Sequence, residues 1–207
     1  MLLLVPSVWG IFLLNKPLIK VSKSEPLTEH NDTDSVDFFQ RYENSLIKLS
    51  PEIWKKLNID NQLDLAQTIV NIESESLGIP PVQVVADAQP KSLYGEYSLT
   101  ANNITINLSL LAKNDATEFV RTLCHEVRHS YQHYVVELID WNDFNTAKLS
   151  LFSDARLWKT DFDSTEITND YDKYYNRNIE IDAREYSDAR LEMYIGFLKG
   201  NQLSLEN

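Results

Sequence analysis

The sequence predicts an α+β fold, a small and mostly antiparallel sheet set among helices. Three observations carry that prediction. Residues 103–108 (Asn-Ile-Thr-Ile-Asn-Leu) alternate polar and apolar, the period of a half-buried strand, and they follow a second strand candidate across a short turn. The stretch after Asp115 carries apolar side chains at helical spacing behind a capping residue. A further helical pattern runs from about Asn178 to Lys199.

The elements follow in order. Met1–Leu14 is almost wholly apolar and is ended by Asn15 and Lys16. A membrane-spanning helix needs about 20 such residues, and Pro6 weakens this run further. It lacks the preceding basic residue and the following A-x-A-like site of a secretory signal. Lys16, Lys20 and Lys23 would keep the rest of the chain on the cytoplasmic side if the run did insert. The expectation is a cytoplasmic protein, with membrane association through residues 1–14 as the alternative. Ser22–Ser35 is polar and reads as a linker, so the chain divides into 1–34, an apolar segment plus linker, and 35–207, one domain.

Asp34–Leu49 sets Val36, Phe39, Tyr42, Leu46 and Leu49 at helical spacing. Ser50-Pro51 ends it, and Pro51 opens a short helix through Leu57. Asp60 is placed to cap a helix over Asn61–Leu77, with Gly78 at its C-cap and Pro80-Pro81 beyond. Val82–Ala86 is a short apolar strand candidate. Leu93–Thr100 and Asn103–Leu108 flank Ala101-Asn102, a hairpin turn. Asp115 and Glu118 form a capping box for the next helix, whose Phe119, Val120, Leu123, Val127, Tyr131 and Tyr134 share one broad face. From Asp140 to Asn178 periodicity is weak, and a helix fragment over Thr146–Phe152 within irregular structure is expected. The last helix turns Ala183, Tyr186, Met193 and Phe197 inward and has Gly200 as its C-cap.

Composition narrows the functions open to this domain. Nineteen Lys and Arg against thirty-one Asp and Glu give a formal charge of −12. That excludes nucleic-acid binding carried by bulk charge, which needs clustered cations. One cysteine excludes an internal disulfide and any multi-thiolate metal site. Cys124 itself reads as a small buried hydrophobe. There are four histidines, and His125, His129 and His133 fall within nine residues.

Residues 125–129 read His-Glu-Val-Arg-His, an H-E-x-x-H pattern on a predicted helix. Histidines four apart lie one turn apart on one face, so both imidazoles reach one tetrahedral zinc ion. Glu126 projects about 100° round the helix, within reach of a water at the metal, where a carboxylate serves as general base. His133 continues the series but lies about 12 Å along the helix from His125, too far for the same ion. A solvated histidine is expected there. Since His30, the remaining histidine, lies in the linker, the third ligand is expected to be a carboxylate. Glu180, in the first turn of the last helix, has small Ala183 beside it to admit a close neighbour. Asp182 is the reserve ligand, or an acceptor that orients a metal-bound histidine. Tyr174 and Tyr175 precede that helix and either could donate to an oxyanion, although ordinary packing is the expectation. Arg121 and Arg128 are expected away from the core, paired with acids.

His125-Glu-x-x-His129 followed by Glu180-Ile-Asp-Ala183 resembles the gluzincin branch of the zincin metallopeptidases, which carry H-E-x-x-H on one helix and E-x-x-A or E-x-x-x-D on a later one. The longer string His125-Glu-x-Arg-His-x-x-Gln132 is similar to small bacterial and phage-associated zincin-like proteins, and the glutamate-bearing helix resembles that of ImmA/IrrE metallopeptidases. The resemblance implies, over about residues 60–200, a zincin-like fold with a small sheet, an H-E-x-x-H helix and a closing glutamate helix. It also implies a zinc-dependent peptidase acting on a peptide or protein substrate, with His125, His129 and Glu180 as metal ligands and Glu126 as catalytic base. The substrate is expected to pair with the free edge of Asn103–Leu108. A zinc hydrolase of another substrate class, and a binding or regulatory module on a degenerate zincin scaffold, are the alternatives.

Overall fold

The computed structural model describes residues 38–90, 92–113, 115–164 and 171–201. Residues 1–34, read above as apolar segment and linker, and the first turn of the Asp34–Leu49 helix lie outside them. No helix among the described residues is long and apolar enough to cross a membrane.

The long Asp34–Leu49 helix is instead a chain of short turns: helix at 38–40, then Glu43–Leu46 and a 3-10 turn at Ile47–Leu49. Phe39, Leu46 and Leu49 are nonetheless buried, as the spacing requires. Helix α1 spans Ile59–Leu77. Its cap is Asn58, whose side chain accepts from Asn61 N–H at 2.9 Å, rather than Asp60, which lies inside the first turn. Gly78 closes α1 in the left-handed conformation (φ 67°) that a residue without Cβ adopts freely.

Three strands follow: β1 (Gln83–Asp87), β2 (Gly95–Ser98) and β3 (Asn103–Asn107), in the spatial order β1-β3-β2. β2 and β3 form the expected hairpin, with Glu96 opposite Thr105. Its turn is wider than Ala101-Asn102: Asn102 N–H returns to Ser98 carbonyl at 2.8 Å, with Asn102 left-handed at φ 50°. β1 pairs with β3 in parallel, Gln83 opposite Asn103, so the sheet is mixed and not mostly antiparallel. β3 occupies the centre because it carries the fully buried Ile104 and Ile106, and it therefore has no free edge. The outer edge of β1 is covered by α1, where Gln67 accepts from Val84 N–H at 2.8 Å and donates to Val82 carbonyl at 3.0 Å. The outer edge of β2 faces the cleft described below.

Helix α2 spans Ala116–Leu138. Asp115 caps it, accepting from Glu118 N–H at 3.0 Å, while the Glu118 carboxylate faces Arg121 at 3.3 Å. Phe119, Val120, Leu123 and Val127 are fully buried against α1 and the sheet, and Cys124 is buried and free. Tyr131 and Tyr134, assigned above to the same face, have left the core, Tyr134 being exposed.

The stretch after Asp140 holds more helix than its pattern suggests. Short turns at Phe144–Ala147 and Ser150–Phe152 lead into α3, Ser153–Asp163. This helix buries only Ala155 and Trp158, in a small second cluster with Val136, Ile139 and Ile179, while Leu157 stays exposed. Two buried positions in eleven leave too faint a stripe to read as a helix. Helix α4, Asn178–Gly200, runs through Gly200 and is capped by Asn201. It buries Ile179, Ala183, Leu191, Tyr194, Phe197 and Leu198. Ala183 is completely covered, the small residue at which α4 meets α2.

A second tie joins α4 to α1. Buried Glu73 accepts from Arg190 Nε (2.6 Å) and Nη2 (2.8 Å), and from the hydroxyls of Tyr186 (2.6 Å) and Tyr194 (2.8 Å). A fully buried carboxylate is tolerated when all its lone pairs are met in this way. The core is thus pinned on both sides of α2, the helix that carries the motif.

Candidate metal centre

His125 and His129 lie one turn apart on α2, and Glu180 lies in the first turn of α4. Their side chains converge. His125 Nε2 and His129 Nε2 are 3.1 Å apart; His125 Nε2 is 3.3 Å from one Glu180 oxygen and His129 Nε2 is 3.5 Å from the other. A tetrahedral zinc with bonds of about 2.0–2.1 Å separates its ligand atoms by about 3.3–3.4 Å. The three groups therefore have the spacing of three corners of such a polyhedron, and they could hold a metal ion. Burial would raise the Glu180 carboxyl, but the hydrogen bond from His125, the charge of His129 and the Tyr174 hydroxyl outweigh it and hold the group down at about 2. It is an anion throughout the neutral range.

The orientation of His129 is fixed by a chain of side chains. Its Nδ1 is 2.8 Å from Gln132 Oε1. The amide of Gln132 has one possible orientation, because its nitrogen faces two acceptors: Ile179 carbonyl at 2.9 Å and Asp182 Oδ2 at 2.6 Å. Oε1 is therefore an acceptor, Nδ1 donates to it, and Nε2 is turned towards Glu180. Asp182 is held in turn by a bidentate pair with Arg128 at 2.7 and 2.8 Å. The guanidinium of Arg128 lies among the rings of Tyr131, Trp158 and Tyr186. So Asp182, the reserve ligand, stands in the shell around the site rather than at its centre. Arg128 does pair with an acid but is part-buried, not turned away from the core. The spacing of Arg128 and Gln132 in the motif was visible; their joint partner on α4 was not.

Glu126 is buried next to the histidines. Its Oε2 accepts from the backbone N–H of Tyr97, on the outer edge of β2, at 2.7 Å. Burial pushes its carboxyl up to about 7, against the pull of His129 and the Tyr97 N–H; a cation in the site would draw it back down. β2 comes this close because residue 95 is glycine. A Cβ there would stand 2.7 Å from Thr122 Cγ2 and 3.3 Å from Glu126 Cγ. No side-chain pattern foretells a backbone donor, and a lone glycine at the start of a strand is the trace it leaves in the sequence.

The remaining candidates sort as follows. His133 is not a free solvated side chain: its Nδ1 is 3.0 Å from the Tyr97 hydroxyl, which also donates to Asn102 at 2.8 Å. It steadies the strand that holds Glu126. Tyr174 hydrogen-bonds the Glu180 carboxylate, and burial, then that charge, raises its hydroxyl well above the usual range. Tyr175 lies beside it in the cleft. Cys124 is inert, its thiol pushed up by burial. His125, Glu126, His129, Glu180, Tyr174 and Tyr175 line a cleft of about 770 Å³ between β2, α2, α4 and the end of α3; His133 and Cys124 do not. That volume falls in the range of small-molecule and peptide sites.

No family model matches the chain, and no curated protein or solved structure was found to be similar to it.

Proposed function

We propose that the protein is a zinc-dependent peptidase, with His125, His129 and Glu180 as metal ligands and Glu126 as general base. The observation that carries the reading is the convergence of three ligand groups at 3.1–3.5 Å beside a buried carboxylate, at the floor of an open cleft. Three protein ligands leave a fourth position for water or substrate, as in catalytic rather than structural zinc sites. Zinc in such a site polarises a carbonyl and makes water a nucleophile at neutral pH.

The chain's own residues supply the rest. Glu126 has Oε2 occupied by Tyr97 N–H, which leaves Oε1 to take the proton of the attacking water and deliver it to the leaving amine. Gln132 keeps the His129 lone pair directed at the metal position. Tyr174, next to Glu180, is placed to donate to a developing oxyanion once substrate competes for its hydroxyl. An extended peptide would lie along the outer edge of β2, replacing β3 in that role.

The test is metal analysis combined with proteolysis. Purified protein should contain one zinc per chain. Glu126→Gln should keep the zinc and lose cleavage of a denatured-protein substrate, whereas His129→Ala should lose both. Metal-free wild-type protein, or a Glu126→Gln variant that still cleaves, would refute the proposal.

A further inference from the structure

Three arginines line the cleft, and two are already committed. Arg121 pairs with Asp188 at 3.1 Å and Glu118 at 3.3 Å. Arg177 donates to the backbone carbonyl of Asp161. Arg184 differs. Its guanidinium carbon sits over the ring of Tyr175, 3.6 Å from the centroid, and among the described residues no ion pair joins it to a carboxylate. A cation–π contact holds the guanidinium in place without using its N–H donors, which are the groups that grip a carboxylate with two hydrogen bonds.

Its position relative to the metal ligands is set by the helix. Arg184 is four residues after Glu180, on the same face of α4 and about 6 Å along it. An extended peptide advances about 3.3 Å per residue. The guanidinium leans back over Tyr175, towards the end of α4 that carries Glu180, so a substrate group meeting it lies within about two residues of the bond above the metal position. Acids line the rest of the cleft, among them Glu96, Glu118, Asp161 and Asp188. Among the three arginines of the cleft, Arg184 is the one for which, among the described residues, no carboxylate already offsets the charge and no backbone carbonyl takes the donors.

Resting on the peptidase reading, we propose that Arg184 is a specificity-determining residue that selects a peptide carboxylate within two residues of the scissile bond. The carboxylate is either an Asp or Glu side chain or the free C-terminus. The experiment uses the full zinc-loaded chain and a proteome-derived peptide library read by mass spectrometry, half of it amidated at the C-terminus. Enrichment of Asp and Glu within two residues of the cleaved bonds identifies the side chain as the source. Cleavage near the C-terminus that is lost on amidation identifies the terminal carboxylate. Either preference should be about tenfold or more, the size expected of a charge-assisted pair. Arg184→Glu should abolish it and favour Lys and Arg at the same position. Arg184→Lys should retain a weakened form, with both variants keeping their zinc. An identical cleavage pattern in wild type and Arg184→Glu, or no acidic preference in wild type, overturns this inference and leaves the peptidase reading standing. No cleavage of any peptide by zinc-loaded wild type overturns both.

Discussion

Replacing Asp182 by alanine tests whether the Arg128–Asp182–Gln132 chain serves the metal position as well as the fold. The carboxylate accepts three hydrogen bonds, two from Arg128 at 2.7 and 2.8 Å and one from Gln132 at 2.6 Å. Breaking a fully buried ion pair by removing one partner costs about 3–5 kcal/mol. The two side chains here retain 17% and 27% exposure, so solvent relieves part of that cost. About 2–3 kcal/mol is the resulting expectation for the metal-free protein, or roughly 4–12 °C in Tm for a chain of this size. Gln132 keeps its bond to Ile179 carbonyl but loses the acceptor that completes its orientation. His129 is then less firmly aimed, and zinc affinity should fall about 10–100-fold, the usual effect of removing an outer-shell partner. Denaturant unfolding in chelator measures the first quantity, and competition against a chromogenic chelator measures the second. Unchanged zinc affinity would sink the argument that this chain positions His129. Total loss of zinc, together with retention of zinc in Glu180→Ala, would show that Asp182 and not Glu180 is the ligand.

Three further outcomes are expected. Glu126→Gln is nearly isosteric and can still accept from Tyr97 N–H, so folding and zinc content should be unchanged while cleavage falls about 10²–10⁴-fold in a steady-state peptide assay. Gly95→Ala should cost about 1–3 kcal/mol by denaturant unfolding, since its Cβ would meet Thr122 Cγ2 at 2.7 Å; adding Thr122→Ser removes that methyl and should restore most of the loss, and no recovery would place the strain elsewhere. Stripping zinc with a chelator should lower Tm without abolishing the cooperative transition, and excess zinc should restore it by about 2.7 kcal/mol at a hundred times Kd; a chain that unfolds outright on chelation would show that the metal is structural.

How much of this was legible in the sequence depends on the range of the interaction concerned. His125 and His129 were legible because their spacing is a property of one helix. Gly78 was legible because a helix end and a following Pro-Pro announce it. That the Glu180 carboxylate meets the two histidines was anticipated from the shortage of other histidines and from a small neighbour, Ala183. By contrast, the parallel pairing of β1 with β3 depends on which strand buries more, and the exchange of edge between β3 and β2 follows from it. Helix α3 was hidden because a helix lying on the surface with two buried residues has almost no periodic signal. The donor to Glu126 is a backbone amide, to which every residue type contributes alike. For Asp182 the sequence left two roles open, reserve ligand or orienting acceptor; its contacts with Arg128 and Gln132 lie about fifty residues away on another helix, which no local pattern records.

The cluster of His125, His129 and Glu180 is held together by side-chain contacts that lie behind it. Gln132 and Asp182 bridge α2 to α4 through side chains, Ala183 lets the helices touch, and Glu73 anchors the far end of α4 to α1. Neither Glu73 nor Gln132 lines the cleft, yet both are fully buried and fix how α4 lies against its neighbours. The positions of His129 and Glu180 are therefore inherited from packing outside the cleft, and a substitution at Glu73 should displace them although it touches neither.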